Sequence, residues 1–98
     1  MIAVFVSFSG PGGPDRERAE KVAHEARGTF EGMAGLRSKA FTYDGDARRA
    51  TNVYLWEDEQ AARSFFSEDL RQRVSALYGV ESEITFADVL ELVDNSAG

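Results

Sequence analysis

Asn52, Tyr54 and Trp56 occupy alternate positions in the run Thr51–Glu57. On a strand, alternate residues leave the same face. One face would therefore carry an amide, a phenol and an indole N–H side by side. A buried amide needs partners, and a buried indole N–H wants an acceptor. Beneath a layer of helices these three would make the floor of a ligand pocket, with apolar walls and a few polar groups. They fit equally well a Tyr–Trp core in which backbone satisfies the amide.

Other chemistries find little support. The chain has no cysteine, which removes disulfides, thiolate catalysis and iron–sulfur ligation. His24 is the only histidine. It stands four residues after Glu20 without companions at metal-ligand spacing, so no metal site is expected. It reads as a solvent-flanking helix residue. The serines sit in no nucleophile-elbow context. Gly10-Pro11-Gly12-Gly13-Pro14 lacks a lysine and the GxGxxG spacing, and its prolines offer no donor amides, so it reads as a tight connection. The formal net charge of −6 argues against a nucleic-acid partner, because phosphate binding wants a basic face. The apolar start, Met1 to Val6, is too short to span a membrane and lacks a basic n-region. A cytoplasmic location and no membrane partner are the expectations.

The surrounding pattern supplies the elements. Residues 2–9 are β-branched and aromatic, with Ile2, Val4, Val6 and Phe8 on one face and Ala3, Phe5 and Ser7 on the other. Both faces are mainly apolar, which suits a central strand. Asp15 is placed to cap a helix whose stripe is Ala19, Val22, Ala23, Ala26 and Phe30. Residues 36–43 alternate, Arg37 and Lys39 sharing a face with Phe41 and Tyr43, and basic residues suit an edge strand. Asp44-Gly45-Asp46 signals a turn. Residues 51–57 form the third strand. Asp58 caps a second helix carrying Ala61, Ala62, Phe65 and Phe66, and Ser67 restarts it toward Gly79. The fourth strand is predicted over 83–93. One domain spans residues 1–93, and 94–98 form a flexible tail.

The order βαββαβ predicts an α+β ferredoxin-like sandwich: a four-stranded antiparallel sheet, helices on one face, the first and third strands in the middle. The uncovered face would then expose more apolar surface than monomers usually tolerate. Packing two sheets face to face about a two-fold axis removes that exposure. The expectation is a homodimer that closes as a dimeric α/β barrel.

With these residues in view the chain resembles the dimeric α/β-barrel superfamily, especially its small monooxygenases, the YdhR-like and antibiotic-biosynthesis monooxygenase-like proteins. The resemblance covers residues 2–93. It is strongest over Gly35-Leu36-Arg37-Ser38-Lys39 and over Asn52-Val53-Tyr54-Leu55-Trp56-Glu57-Asp58, running into Ala61-Ala62-Arg63-Ser64-Phe65-Phe66. It implies a cofactor-independent monooxygenase that uses O2 on a small electron-rich aromatic: a phenol, anthrone or quinol. No metal or flavin is needed, because the deprotonated substrate itself gives an electron to O2. The protein supplies orientation, desolvation and hydrogen bonds to the developing oxyanion. In polyketide oxygenases of this kind an Asn and a Trp four apart on the third strand hold the substrate, and Asn52 and Trp56 match that pair. By the resemblance Asn52 binds a substrate oxygen, Trp56 donates its N–H and stacks, and Tyr54 donates or relays a proton. Phe5, Phe65 and Phe66 are the implied walls. The functional tyrosine that such enzymes carry on the following helix has no counterpart among Ala61, Ala62, Phe65 and Phe66. Haem-degrading relatives keep a histidine on the second helix, and none stands there. Two rival readings stay open, since fold does not fix function: a polyketide-type cyclase or isomerase, and a non-catalytic small-ligand-binding dimer.

Overall fold

The computed structural model describes residues 1–96. The elements run β1 (Ile2–Phe8), α1 (Arg16–Phe30), β2 (Leu36–Asp44), β3 (Arg49–Trp56), α2 (Glu59–Phe65), α3 (Glu68–Tyr78) and β4 (Ser82–Asp88). The strands form one antiparallel sheet in the order β2-β3-β1-β4. The predicted sandwich and the central places of β1 and β3 are therefore observed.

Local chemistry starts each helix where the sequence predicts. Asp15 accepts from the Arg18 amide at 2.8 Å, Asp58 from Gln60 at 2.9 Å, and Ser67 from Leu70 at 3.2 Å. Each bond satisfies an amide of a first turn that has no intrahelical acceptor. The Ser67 cap separates α2 from α3 and lets the chain bend over the sheet. Gly79 ends α3 in the left-handed region, φ 80°, with its amide on the Ser75 carbonyl at 2.8 Å. The loop after β1 closes as a turn, the Gly13 amide donating to the Gly10 carbonyl at 2.8 Å.

The core lies between the helices and one sheet face. Ile2, Val4, Val6 and Phe8 of β1 are buried there, beside Ala50, Asn52, Tyr54 and Trp56 of β3. Phe8 stacks on Tyr78 with ring centroids 3.9 Å apart, tying β1 to the end of α3. Gly35, φ 80°, precedes β2 where a Cβ would stand 3.1 Å from that of Ala61 and against the Trp56 ring. Glycine there lets β2 enter close under α2.

The structure corrects three details. The fourth strand ends at Asp88, not at residue 93. Asp88 pairs with Ile2, so β1 has run out as a partner, and the Val89 amide makes a last bond to the Met1 carbonyl at 3.1 Å. Leu90 and Val93 are consequently exposed. Arg37 does not share a face with Lys39, Phe41 and Tyr43, because a β-bulge between Leu36 and Ser38 interrupts the alternation. The Arg37 guanidinium instead reaches Asp94 at 3.2 Å and Glu57 at 3.8 Å. Phe5 points away from the helices, opposite Val53 on the open face, since it alternates with the buried Val4 and Val6. Of the predicted tail 94–98, Asp94 carries that pairing and accepts from the Ser96 hydroxyl, and residues 97 and 98 lie outside the described residues.

The Phe8–Tyr78 stack gives a direct stability test. Phe8→Ala removes a fully buried ring and is expected to cost about 3–5 kcal/mol in urea unfolding. A loss below about 1 kcal/mol would contradict this packing.

Candidate functional site

Between the helices and the sheet lies a cavity of about 150 Å³. Its floor is Val6, Asn52, Tyr54 and Ile84, its roof is formed by residues of α1 and α3, and Phe65 and Phe66 close one end. Asn52, only 2% exposed, opens onto this space. Tyr54, Phe65 and Phe66 line it too, so four of the six residues expected on sequence grounds meet at one place.

Phe5 and Trp56 do not. Phe5 stands across the sheet. Trp56 is fully buried behind the cavity wall, its ring parallel to that of Tyr54 at 6.4 Å and 5.3 Å from Phe65. Its Nε1–H has no hydrogen-bond partner among the described residues. Trp56 therefore supports the rings that line the cavity and does not reach into it. His24 is exposed on α1 and is not a lining residue.

The aromatic walls pack mainly edge to face. Phe66 meets Tyr54 at 4.9 Å with planes 86° apart, and Phe65 meets Phe66 at 5.0 Å and 84°. Such pairs hold ring positions beyond what area burial does. They present edges and faces to a flat apolar guest.

Three lining residues escape a reading of the sequence alone: Lys39, Arg71 and Tyr78. Lys39 lies directly across from Tyr54 on β2. Its ammonium nitrogen sits 3.4 Å from the Phe30 ring centroid, 4.1 Å from that of Phe41 and 4.4 Å from that of Tyr54. Burial pushes the amine down to about 7. The three ring faces favour the charged form and oppose that drop. Near neutral pH the side chain is thus poised between its two states. Signals exist for two of them. Lys39 alternates with Phe41 and Tyr43, and Tyr78 follows Leu70 and Val74 at helical spacing.

Burial raises the Tyr54 phenol, with the neighbouring Tyr78 adding to the rise and the Asn52 amide partly offsetting it. Tyr78 is also raised by burial, and Asn52 again works against the shift. Both phenols remain protonated donors at neutral pH. Arg71 donates to the Ser82 carbonyl at 3.1 Å and brings a permanent positive charge to the lining. Among the described residues no carboxylate lines the cavity. In a chain with six excess negative charges, this interior is cationic and rich in donors. It suits an aromatic guest that carries or develops a negative oxygen.

No group of three or more His, Cys, Asp or Glu stands together among the described residues, and no helix among them is long and apolar enough to cross a membrane.

Lys39 also sets a pH dependence. Its folded pKa lies below the unfolded value of about 10.4. Between the two the unfolded chain binds the extra proton, so stability rises with pH from about 7 to about 10. Solvent screening at the partly exposed amine holds the gain to about 2 kcal/mol. Lys39→Met is expected to abolish this rise and to stabilise the protein below pH 7, read from urea midpoints across pH. An unchanged pH profile would show that the amine is fully hydrated.

No protein-family profile matches the chain, and no curated protein sequence matches it. Solved structures do. A monooxygenase from the gene ActVA-Orf6 of Streptomyces coelicolor, in complex with nanaomycin D, is 23% identical; the match covers 97% of this chain and 92% of that one, at a TM-score of 0.69. SnoaB, a cofactor-independent oxygenase from Streptomyces nogalater, is 16% identical over 94% of this chain and 95% of its own, at 0.66. A Nitrosomonas europaea protein of unknown function, NE2512, is 14% identical over 97% and 94%, at 0.73. Across nearly its whole length, the chain has the fold of the antibiotic biosynthesis monooxygenase-like proteins.

Proposed function

We propose that this protein is a cofactor-independent monooxygenase that oxidises a small electron-rich aromatic, a phenol, anthrone or quinol, with O2. The observation that carries the reading is the buried Asn52 amide opening onto an aromatic-walled, acid-free cavity. Two structures with the same fold are described as a monooxygenase bound to nanaomycin D and as a cofactor-independent oxygenase.

The chemistry suits what the chain has. A deprotonated phenol or anthrone supplies the electrons, and the protein orients it, removes water and stabilises charge on oxygen. For an anthrone the balance closes without another reductant: the ring methylene becomes a carbonyl, one oxygen atom enters the product, and the other leaves as water. Asn52 donates to the substrate oxygen. Tyr54 and Tyr78 are further donors, Phe65 and Phe66 hold the ring, and Trp56 positions Tyr54 and Phe65 from behind. Ligand pockets commonly occupy about 300–1,000 Å³. The smaller volume here favours one or two rings, with a larger guest entering only if Phe65 or Phe66 moves.

We also propose that the open sheet face packs on a second copy. Ala3, Phe5, Val53 and Leu55 occupy its centre, and Phe5 keeps 38% exposure within the single chain. Face-to-face packing of two sheets would cover them. A dimer mass in sedimentation, with Val53→Glu sedimenting as a monomer, is the expected result. A wild-type monomer at micromolar concentration would contradict the pairing.

Oxygen uptake tests the function. Metal-stripped protein given naphthols, anthrones and quinols is expected to consume O2 in the presence of chelator. Asn52→Ala should lower kcat by roughly 100-fold or more, the usual cost of a lost oxyanion donor. Uptake unchanged in Asn52→Ala would place the reaction elsewhere. Turnover of the rings without oxygen would favour a cyclase or isomerase.

A further inference from the structure

Lys39, Phe30 and Phe41 line two spaces at once: the cavity between helices and sheet, and a surface cleft of about 300 Å³ bordered by Arg27, Glu31 and Arg37. These three side chains thus stand where the interior meets solvent. We propose that Lys39 is the general base of the site, its neutral amine taking the hydroxyl proton of an aromatic substrate held in the cavity. The step is a simple transfer. The substrate O–H bond breaks, an Nζ–H bond forms, and the electron pair stays on the substrate oxygen.

Elimination among the lining groups supports this role. Inside the cavity the titratable or charged groups facing Lys39 are Tyr54 on β3 and Arg71 and Tyr78 on α3. Both phenols are pushed upward and hold their protons, and a guanidinium cannot accept one. In the cleft, Arg27 and Glu31 of α1 pair with each other at 3.2 Å, and Arg37 of β2 pairs with Asp94. His24 is not among the lining residues. Lys39 is left as the lining group able to be neutral and basic near pH 7. Once protonated, the ammonium rests on the faces of Phe30, Phe41 and Tyr54, which stabilise the cation. It then lies beside the new oxyanion, and the cleft gives the proton a way out to water.

This inference rests on the aromatic-substrate reading above, but the proton transfer itself needs no oxygen, so the two can fail separately. The probe is 1-naphthol, bound at pH 8 under nitrogen, with its anion followed by absorbance. Protons released on binding are counted from binding heats in two buffers of different ionisation enthalpy. Wild type is expected to form bound anion with almost no proton released, because the proton stays on Lys39. Lys39→Arg keeps the charge but cannot accept a proton, so anion should form with about one proton released per site. Lys39→Met should show roughly tenfold less anion or lower still, a shift of at least one pKa unit. Wild type that forms no bound anion, or forms it with one proton released, would overturn the proposal, as would Lys39→Met matching wild type. If wild type forms the anion without proton release and consumes no oxygen once air is admitted, the base stands and the oxygenase reading falls.

Discussion

A sheet covered by helices on one face only puts every second residue of its central strands into a single layer, and everything in that layer must be apolar, partnered or hydrated. Here the layer holds Ile2, Val4, Val6 and Phe8 from β1, and Asn52, Tyr54 and Trp56 from β3. The β1 contribution is wholly hydrophobic and anchors the helices. The β3 contribution brings an amide and a phenol into the same layer. The cavity lies over those two groups, and the rings of Phe30, Phe65 and Phe66 form much of its wall. The period-two geometry that builds the core therefore also determines where a guest can sit.

The same layer governs the electrostatics. Charges on the exposed surface are screened by solvent, and three of the five ion pairs among the described residues are i, i+4 contacts along helices. Such pairs contribute little to stability. The interior differs because Lys39 and Arg71 reach it while no carboxylate among the described residues does. An amine held among three rings loses hydration and gains π contacts, two opposing effects that leave its protonation states close in free energy. A negative oxygen on a bound ring would meet a positive field in a site partly screened from water.

Much of this was legible in the residues. Alternation alone put Asn52, Tyr54 and Trp56 on one face, and Asp15, Asp58 and Ser67 marked the helix starts to within a residue. What could not be read were features that depend on length matching and on contacts between distant segments. The end of β4 is dictated by where β1 begins, which no local pattern in residues 83–93 records. The bulge at Arg37 reverses which face that residue serves. Trp56 shares a face with Asn52 yet misses the cavity, because Tyr54 and Phe65 stand between its ring and the guest space. Lys39 looked like a guard on a sheet edge. Its placement among rings depends on α1 folding back to deliver Phe30, a contact between separate elements.

The fold is shared with oxygenases, and fold alone does not determine chemistry. The central claim is that one atom of O2 enters an aromatic ring bound in this cavity without any added cofactor. The most direct measurement is turnover of 1-naphthol under ¹⁸O2 by chelator-treated protein, with the product analysed by mass spectrometry. The account predicts one labelled oxygen in the quinone product, and loss of that label when Asn52 is replaced by alanine. Unlabelled quinone, with its new oxygen drawn from water, would contradict it.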